Sequence, residues 1–378
     1  MKRTIAPLIC LTIGGFAGSL VTTQAAAQPS SNVTVYASGL NGPRGLKFGP
    51  DGLLYVAEAG TGGSTSTAGQ CAQVPGTPGP GPNLGGNTAR ISKIDRYGKV
   101  TSVVTGLPSS VAAIGDLQGV ADVAFMDGKL YAVLAGGGCS HGNAGSPNAI
   151  LRIDTKSGSW KMVADLSKFL MDHPAKYVSL GDFEPDGTFY SLISDGNLLY
   201  TVEANHGQIF SISARGEVRE EIDISEAEGH IVPTSIAEKN GDFYVGNLGL
   251  FPITTEASKI ITISKEGCRW PFLKGFGCRD YSQDLKVSGS RAGFTTVVAV
   301  AFGPDGLLYA LELSAAPGFP TPGAGKVVRL NRDGEIEDVA TGLVVPTGMT
   351  FGPDGRLYVS NFGAAPPGTG QIVRITLP

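Results

Sequence analysis

The chain alternates short apolar runs with tight polar turns, and one such pattern recurs throughout. Phe48-Gly-Pro-Asp-Gly-Leu-Leu-Tyr-Val-Ala-Glu58 returns as Phe302-Gly-Pro-Asp-Gly-Leu-Leu-Tyr-Ala-Leu-Glu312 and as Phe351-Gly-Pro-Asp-Gly-Arg-Leu-Tyr-Val-Ser-Asn361. Weaker copies run over 125–134, 194–203 and 237–247. Each copy joins an apolar run to a Leu-Tyr-Val run through an Asp-Gly or Asn-Gly turn, which predicts a β-hairpin with half-buried strands. Two further runs complete the unit: an Ile-x-x-Ile-Asp type (90–95) and a Val-x-x-Val-x-Thr-Gly-Leu type (100–107). A tandem unit of four strands predicts an all-β, six-bladed β-propeller.

The last unit ends after Gln371-Ile-Val-Arg-Ile-Thr376 with three strands, while Val33-Thr-Val-Tyr-Ala-Ser-Gly-Leu40 stands alone at the other end. The orphan strand is expected to complete the last blade and leave no open sheet edge at the junction. The blades are expected at about 41–108, 119–167, 182–225, 230–290, 294–343, and 344–378 with 33–40, boundaries carrying an error of a few residues. A short helix is expected at 166–173, stopped by Pro174. The 55 glycines and 24 prolines suit such a turn-dense fold. Loops joining strands 2 and 3, and those joining blades, emerge on one face. The long insertions 61–88, 135–148, 248–258 and 314–325 gather there and mark it as the working face.

Residues 1–27 read as a signal peptide: Lys2-Arg3, an apolar stretch from Ile5 to Val21, then Ala25-Ala26-Ala27. An exported chain, periplasmic or secreted, follows, with residues 28–378 as a single propeller domain and no membrane span. The formal net charge is −4 and no basic cluster follows a strand, so no nucleic-acid partner is expected. Export makes disulfides the expected state of the remaining cysteines. Cys71 and Cys139 fall in 2–3 loops of adjacent blades, while Cys268 and Cys278 share one insertion on the opposite face. The reach of the bond therefore predicts Cys71–Cys139 and Cys268–Cys278.

Candidate chemistry sits at the channel end of the second strands. Glu58, Glu203 and Glu312, with His206, could supply ligands to Ca2+ or another divalent cation. Alternatively each strand-end acceptor bonds the backbone of its own turn. Arg44, Glu184, Asn205 and His230 are expected on the same face as ligand-binding residues, taking a small molecule or a partner protein. His141 reads as a loop residue beside a disulfide, and His173 as structural.

The stretches Pro43-Arg-Gly-Leu46, Asp182-Phe-Glu-Pro-Asp-Gly187, Glu203-Ala-Asn-His-Gly207, His230-Ile-Val-Pro-Thr234 and Tyr244-Val-Gly-Asn-Leu-Gly249, with the Gly-Pro-Asp-Gly hairpins, resemble the ScyD/ScyE family. That group comprises exported propellers named after proteins encoded with scytonemin biosynthesis in cyanobacteria. The resemblance covers nearly the whole mature chain. It implies a six-bladed propeller akin to the NHL and gluconolactonase-like groups, and brings no catalytic residues. The leading functional expectation is a binding propeller holding a cation or small ligand at the channel mouth. The alternatives are a metal-dependent lactonase-type hydrolase, for which Glu184, Asn205 and Asn247 could serve, and a quinone-dependent oxidoreductase.

Overall fold

In the computed structural model, residues 28–76, 79–265 and 285–377 are described. The expected signal segment, and Cys268 and Cys278, lie outside them. Six antiparallel sheets form the blades of a propeller. Their inner strands are Pro43–Phe48, Val120–Met126, Phe189–Asp195, Pro233–Lys239, Val297–Phe302 and Gly348–Phe351. These touch one another in cyclic order, the last meeting the first. No helix among the described residues is long and apolar enough to cross a membrane.

Ring closure follows the expected route. Val33–Leu40 pairs antiparallel with Gly370–Ile375, from Val33 opposite Ile375 to Leu40 opposite Gly370. Asn32 pins the start of this strand, donating from Nδ2 to the carbonyls of Val339 (2.9 Å) and Thr376 (3.1 Å). The first blade departs from expectation in having five strands. Its third strand begins at Asn83, inside the predicted 2–3 loop, and its fourth continues to Ala112 before Leu117–Gln118 folds back on it. The expected helix runs from Leu166 to Asp172, with Asp165 accepting the Lys168 amide at 2.9 Å as its N-cap.

The core is distributed around the ring. Its buried apolar side chains form six clusters among the described residues, each spanning one junction between neighbouring blades. This explains a second departure. The Leu-Tyr-Val strands Leu54–Glu58, Leu308–Glu312 and Leu357–Asn361 are buried at every position. A sheet stacked between two others has no wet face, so exposed positions are found chiefly in outer strands such as Val33–Leu40.

The repeated motif gains its meaning at these junctions. Tyr55, Tyr309 and Tyr358 each donate a hydroxyl hydrogen bond to the motif's own Asp51, Asp305 and Asp354, at 2.9, 2.9 and 3.0 Å. Each ring then meets the motif phenylalanine of the next blade edge-on: Tyr55 with Phe125, Tyr309 with Phe351, Tyr358 with Phe48. The glycine after the phenylalanine makes room for this clasp. A Cβ at Gly352 would lie 2.6 Å from both Tyr358 Cε2 and Asp354 Oδ1. The second glycine has another role, since Gly355 turns at φ +74°.

Gly352→Ala should therefore cost about 1–3 kcal/mol through overpacking at the closing junction. Tyr358→Phe, which loses only the hydroxyl bond, should cost about 1 kcal/mol. Denaturant midpoints of the two variants measure both; equal midpoints for wild type and Gly352→Ala would show that the clasp does not restrain the ring.

Candidate functional site

The connection from blade 2 to blade 3 carries the segment 182–188 across the channel mouth, and polar side chains from four blades converge on it. From the 204–207 turn of blade 3, Asn205 accepts the Glu184 amide at 2.8 Å and donates to the Asp182 carbonyl. His206 points Nε2 at the Glu184 carbonyl, 3.0 Å away, and stacks on Phe183. A carbonyl only accepts, so Nε2 carries a proton, while Nδ1 is buried and without a partner. His230, from the connection into blade 4, lies 3.0 Å from Asp182 Oδ2. The turn itself is held by Glu203, which accepts from the amides of Thr188 (2.6 Å), Asn205 (3.2 Å) and His206.

Blade 2 supplies the other side. The disulfide Cys71–Cys139 forms as expected, its Cα atoms 6.3 Å apart, and closes a loop worth about 4 kcal/mol in chain entropy. It anchors a short 3-10 turn, Cys139–His141. Ser140 donates to Asp186 from both its amide (2.7 Å) and its hydroxyl (2.6 Å). His141 is fully buried and bonds at both ring nitrogens: Nδ1 to the Gly137 carbonyl at 2.6 Å, Nε2 to Glu184 Oε2 at 3.0 Å. Thr188 and Gln118 also donate to that carboxylate, leaving Gln118 Oε1 buried and unpartnered.

The charge states follow from this wiring. Burial opposes ionisation of Glu184, but the bonds and charge of His141, with Thr188 and Gln118, outweigh it and hold the carboxyl below its usual range. Burial likewise opposes a charged His141, and Glu184 and the Gly137 carbonyl outweigh it, raising the imidazole. With both nitrogens facing acceptors, His141 is an imidazolium paired to a carboxylate inside the protein.

Deeper in the channel, Asp122 accepts the Val123 and Leu192 amides, both at 2.8 Å, and so bridges blades 2 and 3. Burial pushes it up to about 6 against the pull of Lys47 and of those amides. Gly45 is required opposite it, because a Cβ there would lie 1.8 Å from Asp122 Oδ1. At the rim Arg44 bonds the Leu117 carbonyl and Asp116 (3.3 Å), with the Tyr190 hydroxyl beside it. Two cavities of about 30 Å³ lie here, one in the channel between Lys47, Asp122 and Ser235, one beside Arg44, Gln118 and Tyr190.

Of the residues expected at the site, the structure gathers Glu184, Asn205, His206 and His230 on one segment, with Glu203 beneath them and Arg44 at the rim. Glu58 and Glu312 belong to other blades. Glu58 accepts from Asn41 N (2.6 Å), Arg90 (2.7 Å) and Ser92 (2.5 Å). Glu312 accepts from Thr295 N at 2.9 Å, with Lys326 3.8 Å away. Asn361 does the same for Val344 N at 2.7 Å. The recurrent position is thus an acceptor latching the chain as it enters the same blade. Among the described residues no three His, Cys, Asp or Glu side chains come together to hold a metal ion. Asn247, a partner in the lactonase reading, is spent on the Ile231 carbonyl and the Lys259 amide. Sequence reasoning left out Gln118, Asp122, Asp186 and Tyr190 and gave His141 only a loop role.

No family model matches this sequence, and no curated protein does. Solved structures do resemble it. A gluconolactonase from Xanthomonas campestris is 10% identical, covering 92% of this chain and 89% of its own, with a TM-score of 0.52. The PQQ-bound aldose sugar dehydrogenase of Streptomyces coelicolor is 15% identical, covering 93% and 99%, with a TM-score of 0.51. A luciferin-regenerating enzyme is 12% identical, covering 92% and 95%, with a TM-score of 0.53. At such identities the likeness is one of propeller fold.

The ion pair sets a pH window. Glu184, lowered from 4.5, stabilises the fold fully above that value and loses its contribution as pH falls through its folded value. His141, raised from 6.5, contributes fully below that value and loses it as pH rises through its folded value. Glu184→Ala should cost about 3 kcal/mol inside this window and progressively less outside it. In an NMR titration of the chain's 4 histidines, one should titrate above 6.5 and fall back in the variant. Four ordinary histidine titrations in the wild type would disprove the pairing.

Proposed function

We propose that the protein is an exported, ScyD/ScyE-like propeller that binds a small polar ligand at the channel mouth without transforming it. The carrying observation is the buried constellation around Glu184, in which the carboxylate and the imidazole are committed to each other. Glu184 and His141 neutralise each other, and neither imidazole nitrogen of His141 is free to move a proton. A general base has to reach its substrate. What the cavity beside Arg44 leaves open is an acceptor, Gln118 Oε1, which suits a ligand's donor group.

Size argues the same way. Each cavity of about 30 Å³ admits one or two water-sized groups, whereas small-molecule sites usually occupy about 300 Å³ or more. A hydroxyl, an ammonium or a similar end group fits beside Arg44, Gln118 and Tyr190; a quinone ring or a whole sugar lactone does not. The donor set also fits a divalent cation poorly, because Glu58 and Glu203 are saturated by donors of their own blades. Export is supported by the charged, apolar and small-residue pattern of 1–27 and by the disulfide between blades 1 and 2.

Thermal-shift screening of the purified chain against small polyols, amines, sugar lactones and Ca2+ tests this reading. A stabilising polyol or amine should lose its effect in Gln118→Met, and no lactone should be hydrolysed with or without added metal. Lactone turnover that disappears in Glu184→Gln would instead establish the hydrolase reading. A shift with Ca2+ alone, abolished by chelator and by Glu203→Gln, would establish the cation reading.

A further inference from the structure

The loop-bearing face divides into two sectors. The connections into blades 2, 3 and 4 carry Asp116, Lys176, Asp182, Glu226 and Glu228 around the site just described. The remaining sector contains no charge at all over 41–42, 59–82, 295–296, 313–324, 344–347 and 362–369, and Glu256 alone over 248–257. For a chain that is 16% charged, loops drawn from three and a half blades should carry several ionisable groups. These segments are rich in Gly, Pro, Ala, Ser and Thr.

Within this sector two loops of adjacent blades are tied together. Ile253 and Gly318 exchange backbone hydrogen bonds, Ile253 N to Gly318 O at 2.6 Å and Gly318 N to Ile253 O at 2.9 Å. The tie holds the rings of Phe251 and Phe319 parallel within 7°, their centroids 6.2 Å apart, while leaving them 44% and 71% exposed. Exposed hydroxyls follow Phe251 in its own loop at Thr254 and Thr255.

We propose that this sector binds an uncharged polysaccharide chain, with Phe251 and Phe319 as its platform. Charge decides first: nucleic acids, acidic polymers and anionic membranes need cations that the sector lacks. Of uncharged partners, a lipid surface would strand the open backbone groups of Gly-rich loops. A protein face or a second copy would want a larger contiguous apolar patch than Leu250, Phe251 and Phe319 provide. A neutral sugar polymer matches both halves of the composition. Its hydroxyls pair with Ser, Thr and Gln side chains and open peptide groups, and its polarised C–H faces settle on the electron-rich faces of the phenylalanines. This surface is separate from the channel-mouth site, which is too small for a sugar, so the two readings stand or fall independently.

Retention of the purified chain on amylose resin and on microcrystalline cellulose, and its retardation by dextran in native electrophoresis, provide the test. At least one of the three should hold the protein, and raising salt to about 0.5 M should leave binding essentially unchanged. Phe319→Ala and Phe251→Ala should each weaken it by about ten-fold. Phe319→Ala should unfold at the wild-type temperature, since its ring is 71% exposed, and Gln118→Met should bind polysaccharide normally. The proposal is overturned by retention on none of the three polymers, by retention that both Phe variants keep, or by binding that salt abolishes. Partition onto phosphatidylcholine vesicles, or a dimer that Phe319→Ala dissociates, in place of polymer binding would reassign the platform to a lipid or to a second copy.

Discussion

Everything in this molecule depends on closing the ring. Each blade presents two apolar faces, and only its neighbours can cover them, so the core exists as six junctions rather than as the interior of any blade. A blade at an open end would leave one whole face in water. The chain solves this by borrowing its first strand for its last sheet: Ala37 and Leu40 of Val33–Leu40 enter the same cluster as Leu46, Val56 and Ile372. The closing junction thereby joins the first and last described strands by hydrogen bonds and by packing at once. The Tyr358–Phe48 contact repeats there the edge-on geometry of the Tyr55–Phe125 and Tyr309–Phe351 pairs.

The fold was legible because the junction is written into each repeat. Phe-Gly-Pro-Asp-Gly-x-Leu-Tyr encodes a turn, a hydroxyl–carboxylate bond and an aromatic contact to the next blade, and recurrence of the whole string exposes the architecture. What the string does not encode is burial on the far side of the sheet. Period-two alternation was read as one wet face, yet Leu54–Glu58 is dry on both, because the second face is covered by a neighbour remote in sequence.

The site was legible in part for the same reason. Glu184, Asn205, His206 and His230 could be placed on one face by counting positions within repeats, and they do meet on 182–188. Gln118 and His141 could not be found this way. His141 reaches Glu184 across the junction of blades 2 and 3, and Gln118 from the fifth strand of blade 1, over separations of 43 and 66 residues, and nothing local marks them as partners. The adjacency of Cys71 and Cys139 was the one available signal, since it put the loop bearing His141 under restraint at the channel mouth.

Departures from the repeat mark where the site was built. At the end of the second strand, Glu58, Glu312 and Asn361 accept the amide of the residue that enters their own blade, and either Glu or Asn serves, because only the oxygen matters. Blade 2 has Leu134 at this position and so lacks the latch. Its loop is restrained instead by Asn148, which accepts the Gly137 amide at 2.7 Å, and by the disulfide, and this frees the 3-10 turn to deliver Ser140 and His141 to blade 3. Blade 3 keeps the latch but loads Glu203 with two further amides, which curls the 204–207 turn onto the connection it faces. Blade 4 varies the rule too, Asn247 donating to the entering Ile231 carbonyl instead, but the loops of blades 2 and 3 are the ones that meet at Glu184. An acceptor repeated for closure has been released in one blade and overused in the next, and the polar constellation occupies the space between them.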